Sequence, residues 1–130
     1  MYRSVTLAAA ALMTLAAVVP AQAADEEPVA FEGLFLTVSG SENTWMRGVM
    51  LKCAPEPGGP HPAAADACAA LTKAGGDLDK LPADPHPCTK KFDPVTVEAT
   101  GSWQQRSMSW QKTYANACAL DAATGAVFRF

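Results

Sequence analysis

With 130 residues, 49% of them hydrophobic, and 10 Lys and Arg against 13 Asp and Glu, the chain has enough material for one domain around one modest core. Its acidic balance excludes a phosphate-binding surface, so nucleic acid is not an expected partner.

In chain order, an export signal comes first. Arg3 supplies a positive start, Val5 to Val19 is largely apolar, and Ala21-Gln22-Ala23 fits the small-residue cleavage rule. Residues 1–23 therefore read as a secretory signal peptide and residues 24–130 as a single secreted, extracellular domain. The apolar run stops at Pro20, short of the ~20 residues a spanning helix needs, so no membrane association is expected. Losing Arg3 with the leader leaves nine Lys and Arg against thirteen Asp and Glu, a formal charge of −4. Asp25-Glu26-Glu27-Pro28 then reads as a solvated start.

Leu34 to Ser39 and Trp45 to Lys52 are rich in Val, Leu, Thr and aromatic residues and flank Gly40-Ser41-Glu42-Asn43, which predicts an antiparallel strand pair. Ala54 to Pro62 contains four prolines and two glycines and is predicted as a loop. Ala63 to Lys73 is Ala-rich and stops at Gly75-Gly76, the pattern of a short helix packed on a sheet, with Leu78 and Leu81 adding a further turn. Between Pro82 and Pro87 three prolines alternate with other residues and favour extended chain.

Pro94 to Thr100 sets Val95, Val97 and Ala99 against Thr96, Glu98 and Thr100. Arg106 to Ala115 sets Met108, Trp110 and Tyr114 against Ser107, Ser109, Gln111 and Thr113. Both are half-buried strands, joined as a hairpin through Gly101 to Gln105. Val127 to Phe130 is predicted as a last short strand. The sum is an α+β fold with an antiparallel sheet. Trp45, Trp103 and Trp110 lie on or beside strands and read as core or subunit contacts rather than as a ligand platform.

Four cysteines in an exported chain imply two disulfides, and four allow three connectivities. Cys53 and Cys68 bracket the Pro- and Gly-rich loop plus the helix start, while Cys88 and Cys118 bracket two strands, so these are the expected pairs. On the loop-entropy model they would contribute about 3 and about 3.5 kcal/mol. A zinc site is the competing reading, but there is no Cys-x-x-Cys pair, and His61 and His86 each sit between prolines at no ligand spacing. Neither a metal nor a cofactor is expected.

Cys88-Thr89-Lys90-Lys91-Phe92-Asp93-Pro94 combines a cysteine that can be bolted down, a basic pair and a proline stop. A trypsin-like enzyme needs Lys or Arg in its primary pocket, and a cleavable sequence held stiffly is a candidate inhibitor loop. In isolation Lys90-Lys91 would be a solvated charge pair. Two other classes compete: a small ribonuclease using His61, His86 and Lys90, which needs the imidazoles to converge on one substrate, and an interaction module using the sheet face and its tryptophans.

Cys53-Ala54-Pro55, followed by Gly59, His61-Pro62 and Ala67-Cys68-Ala69-Ala70-Leu71, resembles the signature around the first disulfide of the subtilisin-inhibitor-like proteins, the Streptomyces subtilisin inhibitor type. Gly75-Gly76-Asp77-Leu78 continues it, Cys88 to Val95 resembles the reactive loop, and Gly101-Ser102-Trp103-Gln104 the turn that follows. Asn116-Ala117-Cys118 with Val127-Phe128 resembles the closing strands.

The resemblance implies a five-stranded antiparallel sheet with one or two short helices, a homodimer packed through the sheets, and the same disulfides. It also implies an inhibitor of serine proteases with Lys90–Lys91 as reactive bond and Pro87, Cys88, Thr89 and Phe92 as further protease contacts. Lys90 in the primary pocket points to trypsin-like targets, with subtilisin-like enzymes as second targets. Gln105 stands where the family usually places Gly, in a turn where φ > 0 would suit Gln poorly.

Overall fold

The structure, a computed structural model, describes residues 32–130. The expected leader and the solvated start lie outside the described residues.

Period-two alternation builds the sheet. β1 (Gly33–Ser39) pairs on one side with β2 (Met46–Leu51) and on the other with β3 (Val95–Trp103), which pairs in turn with β4 (Arg106–Tyr114). All pairings are antiparallel and the order is β2-β1-β3-β4. Leu36 lies opposite Ala99, which lies opposite Trp110, so the apolar positions of three strands line up across one face. Leu34, Leu36, Val38, Val95, Val97 and Ala99 are all buried there, and burial of each large aliphatic side chain is worth roughly 1.5–3 kcal/mol.

α1 (Ala64–Lys73) covers this face through Ala67, Cys68 and Leu71. It stops because Gly75 and Gly76 both have φ > 0: Gly75 N–H bonds to Thr72 O at 3.1 Å and Gly76 N–H to Leu71 O at 2.9 Å. A Cβ on Gly76 would lie 2.7 Å from the Trp103 ring, so the helix end doubles as the seat of a core tryptophan. Leu78 and Leu81, also buried, follow in a short 3-10 turn at Leu78–Lys80 and just after it.

The C-terminal part differs from the sequence expectation. Residues 127–130 form no fifth strand; Gly125–Phe128 is a 3-10 turn. The segment beginning at Asn116, expected with it as a closing strand, is the cap and first turn of a second helix, α2 (Ala117–Thr124). The sheet therefore has four strands among the described residues. The physical reason is that Val127 and Phe128 are buried consecutively rather than alternately, with Val127 under α1 and Phe128 stacked on Trp110 at 5.9 Å between ring centroids. Two adjacent buried apolar residues suit a tight turn better than a strand exposed on one side. The expected pairings Cys53–Cys68 and Cys88–Cys118 are both present, with Cα separations of 5.5 and 5.7 Å.

Candidate functional site

The chain between the 3-10 turn at Leu78–Lys80 and β3 has no regular structure, and its residues 83–93 are all exposed. Its path is nevertheless fixed from both ends. Leu81 is buried in the core. Asp84 N–H then bonds to Ala122 O of α2 at 2.9 Å, and Cys88 is bolted to Cys118 of the same helix. On the far side Asp93 N–H bonds to Ala115 O at 2.9 Å, and Pro94 O accepts from the Ser41 hydroxyl at 3.3 Å before the chain enters β3. Thr89, Lys90, Lys91 and Phe92 are left projecting, Phe92 at 78% exposure.

One side chain supports the projecting part from beneath. Asn116, with extended backbone at φ −164°, caps α2 by accepting from Ala119 N–H at 2.7 Å. Its amide nitrogen donates to Lys91 O at 2.8 Å and Thr89 O at 3.2 Å. A single amide thereby joins the start of α2 to the carbonyls on either side of Lys90. The sequence reading missed this role; the visible signal was an Asn before an Ala-rich run that ends at Gly125, a helix cap, which says nothing about the loop.

The stretch leading into the loop is held by charge. Arg129 donates through Nε to Asp121 and through a terminal nitrogen to Asp84, both at 2.6 Å. His86 Nε2 lies 2.7 Å from the other Asp121 oxygen, and its Nδ1 faces the loop disulfide, 3.7 Å from Cys88 Sγ and 3.6 Å from Cys118 Sγ. The hydrogen bond to Asp121, and after it the Pro87 carbonyl, raises the His86 pKa above its ordinary value. Asp121 is lowered, chiefly by the Arg129 hydrogen bond and further by His86.

The residues of the competing readings have other work. His61 is buried, with Nε2 2.8 Å from Val127 O and Nδ1 accepting from Ala63 N–H at 3.0 Å, so both ring nitrogens are committed to the backbone. That pairing ties the final 3-10 turn to the start of α1. His86 is engaged by Asp121 instead, so the structure brings the two imidazoles to different partners. Trp103 is core and Trp110 is half-buried on Phe128. Trp45 is exposed, lies over Gly40 and carries Arg47 5.1 Å from its ring centroid. Among the described residues, His86, Cys88 and Cys118 are grouped closely enough to hold a metal, but the two sulfurs are bonded to each other and supply no thiolate.

A rigid, exposed, dibasic segment of this kind can be compared with known proteins. The subtilisin inhibitor-like family matches residues 30–116. A subtilase-type protease inhibitor of Streptomyces fradiae is 40% identical over 116 residues, spanning 85% of this chain and 82% of the relative. Subtilisin inhibitor-like protein 2 of Streptomyces rochei is 44% identical over 102 residues, spanning 75% and 90%. Among solved structures, Streptomyces caespitosus sermetstatin in complex with Bacillus licheniformis subtilisin superimposes with a TM-score of 0.61 at 34% identity, covering 75% of this chain and 97% of that one.

Proposed function

The chain belongs to the subtilisin inhibitor-like family, and from that premise we propose that it is a secreted serine protease inhibitor whose reactive bond is Lys90–Lys91. The observation that carries the register is the Asn116 amide. In an extended segment carbonyls of alternate residues point the same way, so with those of Thr89 and Lys91 drawn inward the Lys90 carbonyl is left for the outer side, where a nucleophile attacks. Lys90 then fills the primary pocket, and a carboxylate at the base of that pocket, as in trypsin-like enzymes, meets its ammonium. Subtilisin-like enzymes are the second target class, supported by the sermetstatin complex.

The fixed ends explain why such a loop would inhibit rather than be consumed. A substrate loses loop freedom on binding; here the Cys88–Cys118 bridge, the Asp93 to Ala115 bond and the Asn116 tether have already removed it. After cleavage the same supports keep both new ends beside each other, so resealing competes with release. Pro87 and Pro85 occupy alternate positions before Cys88, where an absent N–H costs no strand pairing to the protease.

Pairing of two copies through the sheets is part of the reading. The outer sheet face, which no helix among the described residues covers, presents Phe35 at 45% and Met46 at 67% exposure, with Phe35 directly opposite Met50. The experiment is titration of the purified protein against trypsin, subtilisin and chymotrypsin. Stoichiometric, tight inhibition of trypsin supports the proposal; digestion at this loop without inhibition refutes it.

A further inference from the structure

The imidazole beside the loop disulfide has no part in protease recognition as argued above. His86 Nδ1 lies 3.6 and 3.7 Å from the two sulfurs of Cys88–Cys118, while Nε2 is held by Asp121 at 2.7 Å. With the ring oriented by that carboxylate, a proton on Nδ1 faces the sulfur pair and the Pro87 carbonyl, 3.5 Å away, together. The ring, both cysteines and the bridge between them are at or near the surface, open to a thiol in solution.

We propose that His86 is a built-in proton donor for thiol–disulfide exchange at Cys88–Cys118, making this bridge a site of reductive modification by dithiols. The reaction balances as follows. A dithiol's thiolate attacks one sulfur, the S–S bond breaks, and the departing sulfur leaves as a thiolate that takes the Nδ1 proton. The second thiol of the reductant then displaces the mixed disulfide, giving two cysteine thiols and an oxidised dithiol, and His86 regains its proton from water. Leaving-group stability sets much of the rate of this exchange, and an imidazolium at contact distance stabilises the leaving thiolate. The charged groups around His86 favour its protonated form, Asp121 from α2 and Asp84 from its own arm, opposed by desolvation; Arg129 pairs with both carboxylates.

This chemistry stands independently of the inhibitor reading, and only its consequence, release of the loop from α2, bears on inhibition. The test is the rate at which dithiothreitol opens each bridge in the full-length protein, followed by alkylation and mass spectrometry between about pH 5.5 and 9. The ratio of wild-type to His86→Gln rates cancels the reductant's own ionisation. It should be on the order of fivefold at acid pH, the scale of attraction between unit charges ~4 Å apart in water, and fall to one as His86 deprotonates. In Asp121→Asn the fall should come at lower pH, because the group that raises His86 has been removed. Opening of Cys53–Cys68 should be equal in all three proteins and certifies that each is folded. Equal rates at Cys88–Cys118 throughout, or a ratio that does not change with pH, would overturn the proposal.

Discussion

The Asn116 side chain donates to the Lys91 carbonyl at 2.8 Å while its own oxygen caps α2, so the helix start and the exposed dibasic segment share one amide. The two halves of that amide can be separated by substitution. Asn116→Asp keeps a good cap but replaces the donor with a carboxylate facing two carbonyl oxygens. Two lost hydrogen bonds are worth about 2 kcal/mol, so the melting temperature should fall and trypsin inhibition should weaken by ~30-fold. Asn116→Ala should lose the cap as well and be destabilised by a further ~1 kcal/mol. An Asp variant that inhibits as well as the parent would show that the tether is idle.

Lys90 and Lys91 are both exposed, yet substitution should separate them sharply. Anchors that fill a protease pocket contribute ~4 to 8 kcal/mol, so Lys90→Ala should weaken trypsin inhibition at least a thousandfold and Lys91→Ala far less. Prolonged incubation with catalytic trypsin at mildly acid pH should give a nicked, still associated protein with Lys91 as its new amino terminus. A new terminus at Phe92 would move the register by one residue.

The β3–β4 turn carries avoidable strain. Gln104 and Gln105 have φ of 48° and 64°, the left-handed conformation that a two-residue hairpin of this twist demands and that Gln adopts at a cost. Gln105→Gly should raise stability by about 1 kcal/mol, seen as a higher denaturation midpoint. The bond from Gln105 N–H to Glu32 Oε1 at 3.0 Å is a backbone bond and survives the change. An unchanged or lower midpoint would contradict the assignment of strain.

The charge clamp behind the loop has a pH window. His86 is raised above 6.5, so its contribution is complete below that pH and is lost as pH climbs through the raised value. Asp121 is lowered from 3.8, so its contribution is complete above that pH and is lost as pH drops through the lowered value. The clamp is fully formed between the two. The melting-temperature gap between wild type and His86→Gln should therefore be positive near pH 5 and close on going to about pH 9. A gap constant over that range would mean that His86 acts by packing alone.

What the sequence disclosed and what it withheld follow from the range of the interactions. β3 and β4 were legible because Val95, Val97 and Ala99 alternate with polar residues, and α1 because it ends in two glycines; both signals lie within a few residues. The disulfides and the exposed Lys90-Lys91 pair were likewise local or implied by resemblance. α2 was missed although Asn116 and Gly125 bracket it, because Val127-Phe128 is a short apolar run that fits strand and turn alike. The Asn116 tether joins residues 25 apart and the His86–Asp121 pair residues 35 apart, and no periodicity reports a contact of that kind.

The loop's supports from α2 and its flanks all come from later in the chain than the loop itself. Ala115, Asn116, Cys118, Asp121, Ala122 and Arg129 follow Lys90, and the disulfide partner is 30 residues downstream of Cys88. A chain synthesised from its amino end presents Lys90-Lys91 before the α2 supports exist, when only the upstream contacts at Leu81 and Ser41 are available. For that interval the segment is an ordinary tryptic site. Inhibitory competence is thus the last property the molecule acquires, and a protease waiting at the point of emergence would meet a substrate where a moment later it would meet its inhibitor.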